Sequence, residues 1–126
     1  MNIINLTQHA ASQEQRDAGV VDIPAGMQRT LVELLTFGTL PSAKEIEDRA
    51  ESIALMANRI VLEEGTHAAM IGGAMWLMAP LANALREQRI TLLFAFSVRE
   101  SVELTLPDGS VKKTTIFRHQ GFVEAL

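Results

Sequence analysis

Cysteine and tyrosine are absent from the chain, and its only other aromatic residues are five Phe and one Trp. Without thiols there are no disulfides, no thiolate metal sites and no cysteine nucleophile. That absence fits a reducing cytoplasm, the expected location. With so few rings, the core must be built from Leu, Ile, Val, Ala and Met. Positive charge is also in short supply, with 11 Lys and Arg against 15 Asp and Glu and a formal charge of -4. Such a surface does not draw polyanions from a distance, so no extended nucleic-acid face is expected; a small anionic ligand held by a few local donors is compatible with it. The opening MNIINLTQH has neither a basic region nor a long apolar run, so it does not read as a signal peptide. The longest uncharged stretch, Ala68 to Leu85, is interrupted by Gly72-Gly73, Pro80 and Asn83. It reads as a strand, a turn and a helix rather than a bilayer span, and no membrane partner is expected.

What is present is an ordinary globular balance, 48% apolar and 21% charged, in 126 residues. This suffices for one core, so residues 1–126 are read as a single domain. Ile3, Ile4 and Leu6 mark a first strand over Asn2 to Thr7. Ser12 and Gln15 form a capping box for a short helix that stops at Gly19. Val20 to Ile23 is a second short strand, and Pro24 and Gly26 turn the chain into a helix over Met27 to Phe37. A second capping box, Ser42 with Glu45, opens the clearest element of the chain. In it Ile46, Ala50, Ile53, Ala57, Ile60 and Val61 recur at three- and four-residue steps until Gly65. His67 to Ile71 reads as a strand, Gly72-Gly73 as a turn and Trp76 to Gln88 as a helix, with Pro80 best placed within its first turn or just beyond. The run ITLLFAFSV, Ile90 to Val98, has the continuous apolarity of a strand buried on both faces. Val102 to Leu106 and Ser110 to Phe117 then alternate around Pro107-Asp108-Gly109 as a β-hairpin. Strand–helix alternation closed by a hairpin predicts an α/β, Rossmann-like fold with a mainly parallel sheet.

In open parallel sheets, ligands bind beyond the carboxyl ends of the strands. That rule selects Thr7-Gln8-His9, Gly72-Gly73-Ala74 and Ser97-Val98-Arg99-Glu100-Ser101, which share one edge if the strands are parallel. A histidine can take or give a proton near neutral pH, so His9 is the candidate acid/base; the bland reading makes it a polar strand-end residue, with Thr7 and Gln8 capping the loop. Gly72 and Gly73 permit close backbone approach, and the helix after them offers its N-terminus to a phosphate, although taken alone the motif reads first as a structural turn. Arg99 can neutralise phosphate, with Ser97 and Ser101 as neighbouring donors, or it can pair with Glu100 or Glu103 at a solvated strand end. Lys112, Lys113, Arg118 and His119 form a basic segment whose two lysines face opposite ways. The three histidines lack metal-ligand spacing and no metal is expected; GxGxxG, a P-loop lysine and GxSxG are missing, so no cofactor is expected either. Met70, Met75, Trp76 and Met78 surround the glycine turn and read first as packing in a core or a dimer interface, with an adaptable ligand wall as the alternative.

Asn5-Leu6-Thr7-Gln8-His9 followed by Ser12-Gln13-Glu14-Gln15 resembles the opening of small CRISPR-associated ring nucleases with a Rossmann-like fold. So do the strand, loop and helix around Ile71 to Leu85, the long apolar strand and the short final one. The opening is also similar to uncharacterised phage and mobile-element proteins, which fits a phage-defence or counter-defence setting. The resemblance implies a homodimer that binds cyclic oligoadenylate and cleaves it without metal, through attack of a ribose 2′-hydroxyl on the adjacent phosphate. It implies His9 as acid/base, Thr7 and Gln8 as positioning groups, Arg99 as charge stabiliser, and Gly72 and Gly73 as the opening for the ligand backbone. The acidic balance weighs toward nucleotide binding over catalysis. Two other readings stay open: a noncatalytic ligand-binding or regulatory module, and a structural homo-oligomer of mobile-element origin.

Overall fold

The computed structural model describes residues 2–125, the side chains of residues 62–64 aside. The elements follow as β1 (Ile3–Leu6), α1 (Gln13–Asp17), β2 (Val20–Asp22), α2 (Ala25–Leu35), α3 (Ala43–Glu64), β3 (Ala68–Ile71), α4 (Met75–Glu87), β4 (Thr91–Thr105) and β5 (Val111–Glu124). They build one mixed sheet in the order β2-β1-β3-β4-β5. β1 runs parallel to β2 and β3, β3 runs parallel to β4, and β5 returns antiparallel along β4. The α/β class, the mainly parallel sheet and the C-terminal hairpin are thus as the sequence patterns suggest. Among the described residues, no helix is long and apolar enough to cross a membrane.

The two faces of the sheet are covered unequally. On one, α2, α3 and α4 bury Leu31, Ile53, Leu77, Leu81 and Leu85 against Ile4, Leu6, Ala69 and Leu92. On the other, a smaller cluster of Ile3, Ala11, Val20, Ala68 and Met70 lies on the side of α1, a helix of only five residues with no buried side chain of its own. Every residue of β1 and β3 is buried, which explains why neither shows the alternation of a half-exposed strand.

Local chemistry fixes the helix ends. Ser12 completes a reciprocal capping box, its hydroxyl accepting from the Gln15 backbone N–H while Gln15 accepts from that of Ser12. Ser42 caps α3 by accepting from the Glu45 N–H, but the Glu45 carboxylate turns away to Arg49, 2.9 Å distant. Only half of the second box forms, because an i,i+4 ion pair competes for the acid. Gly65 ends α3 as read from the sequence. Helix α2 begins two residues earlier than its periodicity suggests: Pro24 serves as its N-cap, so Gly26 falls inside the helix rather than in the turn. Pro80 sits in the second turn of α4.

The largest departure is β4. Ile90 to Val98 reads as a strand buried on both faces, yet of β4 itself only Leu92 is fully buried, Leu93 and Phe94 partly, and from Ala95 on every residue but half-buried Val102 is exposed. The cause is β3, which lasts four residues before Gly72-Gly73 and pairs with β4 only over Thr91 to Leu93. Past that point β4 has β5 as its sole neighbour, and the two continue as a two-stranded ribbon to the Asp108-Gly109 turn. The expected strand and the expected hairpin are therefore one continuous element. At Phe96/Ser97 the ladder slips by one residue, with Gly121 at φ 150° facing Phe96. Such a bulge bends a ribbon, and β5 comes into contact with α1.

Candidate functional site

A single buried amide organises the edge where β1 ends. Asn5, 1% exposed, uses its full hydrogen-bonding capacity. Its Nδ2 donates to the His9 carbonyl at 2.7 Å and to Asp22 Oδ1 at 2.8 Å. Its Oδ1 accepts from the Thr7 N–H at 2.9 Å and lies 2.6 Å from the Thr7 hydroxyl. An amide has two donors and two acceptor sites, so nothing is left unmet. Asp22, on β2, also accepts from the Ala11 N–H and from Arg16. Burial works against its ionisation, but the hydrogen bonds from Asn5, Ala11 and Arg16, with the Arg16 charge, outweigh it and hold the carboxyl below its ordinary value. The loop from Thr7 to Ala11 is thus clamped to two strands.

This clamp shapes a pocket of about 330 Å³ lined by Thr7, Gln8, His9, Ala10, Gln15, Met70, Gly72 and Gly73. It lies between the ends of β1 and β3. There the chain order reverses: β1 leads through α1 to β2 on one side and pairs with β3 on the other. A crevice at such a switch point is where open α/β sheets admit ligands. Gly73 holds φ at +143°, a conformation that side chains disfavour. A Cβ at Gly72 would stand 3.6 Å from the Thr7 methyl. Helix α4 starts immediately afterwards with no side chain capping it, leaving first-turn N–H groups for an anion.

Five of the sequence candidates, Thr7, Gln8, His9, Gly72 and Gly73, therefore share one pocket. Two of them are already engaged: the Thr7 hydroxyl is held by Asn5 and the His9 carbonyl, and Gln8 Nε2 reaches the Leu35 carbonyl at 3.3 Å at the end of α2. Their first role is to fix the loop, the blander of the two sequence readings. Ser97, Arg99 and Ser101 do not line the pocket. They stand on the ribbon, two residues apart along β4, in the same alternation as Leu93, which packs in the α1-side cluster with Met70. Arg99 lies over the Phe117 ring, 5.7 Å from its centroid, while Glu100 pairs with Arg118 instead. Opposite Ser97, His119 packs edge-on to Phe122, and both of its ring nitrogens are buried with no hydrogen-bond partner among the described residues.

Sequence reasoning missed Asn5 and Asp22 as the organisers of the site. An Asn within an apolar strand was the available signal, since a buried amide needs partners. The Met-rich segment is split: Met70 is buried and Met78 packs on the main core, whereas Met75 and Trp76 are exposed. Among the described residues, no three His, Asp or Glu side chains gather as metal ligands. A wider cleft of about 540 Å³ opens at the other end of the strands, lined by Thr66, His67, Thr91 and Glu124 among others. It lies at the starts of β3 and β4, away from the switch point and the uncapped α4 terminus. No curated protein and no solved structure matches the chain. A family pattern does match, over residues 1–123, nearly the whole length, and the chain belongs to the Uncharacterized protein MJ1673 family.

Proposed function

We propose that this protein binds a nucleotide through its phosphate at the pocket between β1 and β3, and that the ligand is cyclic oligoadenylate. The observation that carries the reading is the convergence of His9 with Gly72 and Gly73 beside the uncapped start of α4. Backbone donors at a helix start suit a phosphate without needing a basic surface, which reconciles an anionic ligand with an acidic chain. The α/β alternation is read as Rossmann-like on the same grounds. Arg99, Ser97 and Ser101, on the α1-side face of the ribbon, supply further donors if the ligand extends beyond the pocket.

The resemblance to ring nucleases adds a reaction. His9 accepts the ribose 2′-hydroxyl proton, the 2′-oxygen bonds to phosphorus, and the phosphorus–5′-oxygen bond breaks. The leaving oxygen takes its proton from water. A noncatalytic binding module is the second reading, favoured by one feature: among the described residues, His9 is the only titratable side chain lining the pocket.

Titration calorimetry with cyclic tetra- and hexa-adenylate, followed by chromatography of the nucleotides, tests both. Binding with conversion to linear products, slowed by His9→Ala more than binding is weakened, supports the nuclease. Binding without turnover supports the module. Wild-type protein that binds neither ring removes the nucleotide assignment.

A further inference from the structure

The face of the ribbon turned away from α1 carries Phe94, Phe96, Val98, Glu100, Val102 and Leu104 on β4, facing Val123, Gly121, Arg118, Ile116, Thr114 and Lys112 on β5. Phe94 is anchored on the main core. Beyond it the same apolar row is exposed: Phe96 at 53%, Val98 at 40%, Leu104 at 49% and, across the ladder, Val123 at 54%. The opposite face is polar along β4, with Ser97, Arg99, Ser101, Glu103 and Thr105. β4 is thus amphipathic, the pattern of a strand with one buried side, whereas β5 sets exposed Phe117 and Val111 on the polar face. On its own, a two-stranded hairpin in water is only marginally stable.

We propose that the apolar face of the ribbon is covered by the same face of a second copy of this chain. The argument is its self-complementarity. Glu100 and Arg118 form a 3.1 Å ion pair midway along the apolar row, with apolar residues to either side. Two copies related by a two-fold axis near that pair set each acid opposite the partner's base while Phe96, Val98, Val102 and Leu104 pack together, which is what an isologous contact requires. The size also fits. Ten residue steps of a two-stranded ribbon span about 34 Å by about 10 Å. Two such faces together present about 700 Å² in projection, and the side chains standing on them bring the accessible surface buried toward the ~1,000 Å² of a specific interface. The polar face of each ribbon, with Arg99 and Ser97, stays on the pocket side and uncovered. This dimer stands independently of the nucleotide reading.

Analytical ultracentrifugation of the full chain reads the outcome directly. The wild type is expected at twice 13.8 kDa, and Phe96→Lys with Val98→Lys at 13.8 kDa with an unchanged circular dichroism spectrum, since both side chains are exposed in one copy. Glu100→Arg and Arg118→Glu, each alone, set like charges across the axis and weaken dimerisation by at least about tenfold. Mixed in equal amounts, the two variants form a heterodimer in which both cross-axis pairs attract. A purely internal role for the Glu100–Arg118 pair gives no such rescue, because neither variant regains that pair. A wild type that stays monomeric to hundreds of micromolar, a dimer indifferent to Phe96→Lys, or no rescue on mixing each overturns the proposal.

Discussion

The parallel strands and the ribbon share one sheet and little else. β1 and β3 are four residues long and buried throughout; β4 and β5 are 15 and 14 residues long and exposed over most of their length. The short strands owe their place to helices packed on them, so their stability is a matter of buried volume. The ribbon owes its own to a ladder of backbone hydrogen bonds and a few cross-strand pairs, each a modest contribution. Strand length and strand stability run in opposite directions here.

Four substitutions break or sharpen that contrast. Leu77→Ala, at a fully buried α4 position packed into the main core, should lower unfolding free energy by about 3–4 kcal/mol in urea denaturation, through lost transfer energy and a cavity. Asn5→Leu strips four partners of a buried group and leaves Asp22 and the Thr7 N–H less satisfied. A loss of about 2–3 kcal/mol is expected, with faster amide exchange confined to residues 7–11. Asp22→Asn should show its effect through pH. The carboxyl is held below its ordinary value of 3.8, so its stabilisation is complete above that value and is lost as pH falls through the lower, folded value. The variant should be less stable than the wild type at neutral pH, the gap closing in acid; a constant gap in melting curves from neutral pH to about pH 2.5 would contradict this. Phe117→Ala, on the exposed ribbon, should cost under about 0.5–1 kcal/mol despite removing the ring beneath Arg99, since exposed cation–π contacts are weak.

The same contrast explains what was legible in the sequence. The periodicity of α3 and the Ser12 and Ser42 caps are local signals, and the helices stand where they put them. The parallel order followed from strand–helix alternation. The fate of Ile90 to Val98 was not legible, because its burial depends on how far its neighbour extends, and β3 is cut short by a turn some 20 residues earlier in the chain. The position of Arg99 relative to the pocket failed for the same reason: carboxyl-end reasoning assumes that a strand stops near the sheet edge, and β4 does not. At the pocket, residue type pointed to Thr7, Gln8, His9, Gly72 and Gly73, but the clamp beneath them joins Asn5 to Asp22 across 17 positions, a pairing no spacing rule reveals.

The register of β1 on β3 has a consequence for how the molecule assembles. Ile3 meets Ala68 and Leu6 meets Ile71, so the central ladder closes a loop of some 60 residues before any of its hydrogen bonds can form. β4 and β5, by contrast, meet around a five-residue turn. Loop closure of that length slows folding, whereas hairpins zip in about 1–10 μs. Synthesis reverses this order, because residues 3–71 leave the ribosome while the hairpin is still unmade. The slow pairing is given a head start, and the apolar ribbon is completed only after the body that carries it has had time to form.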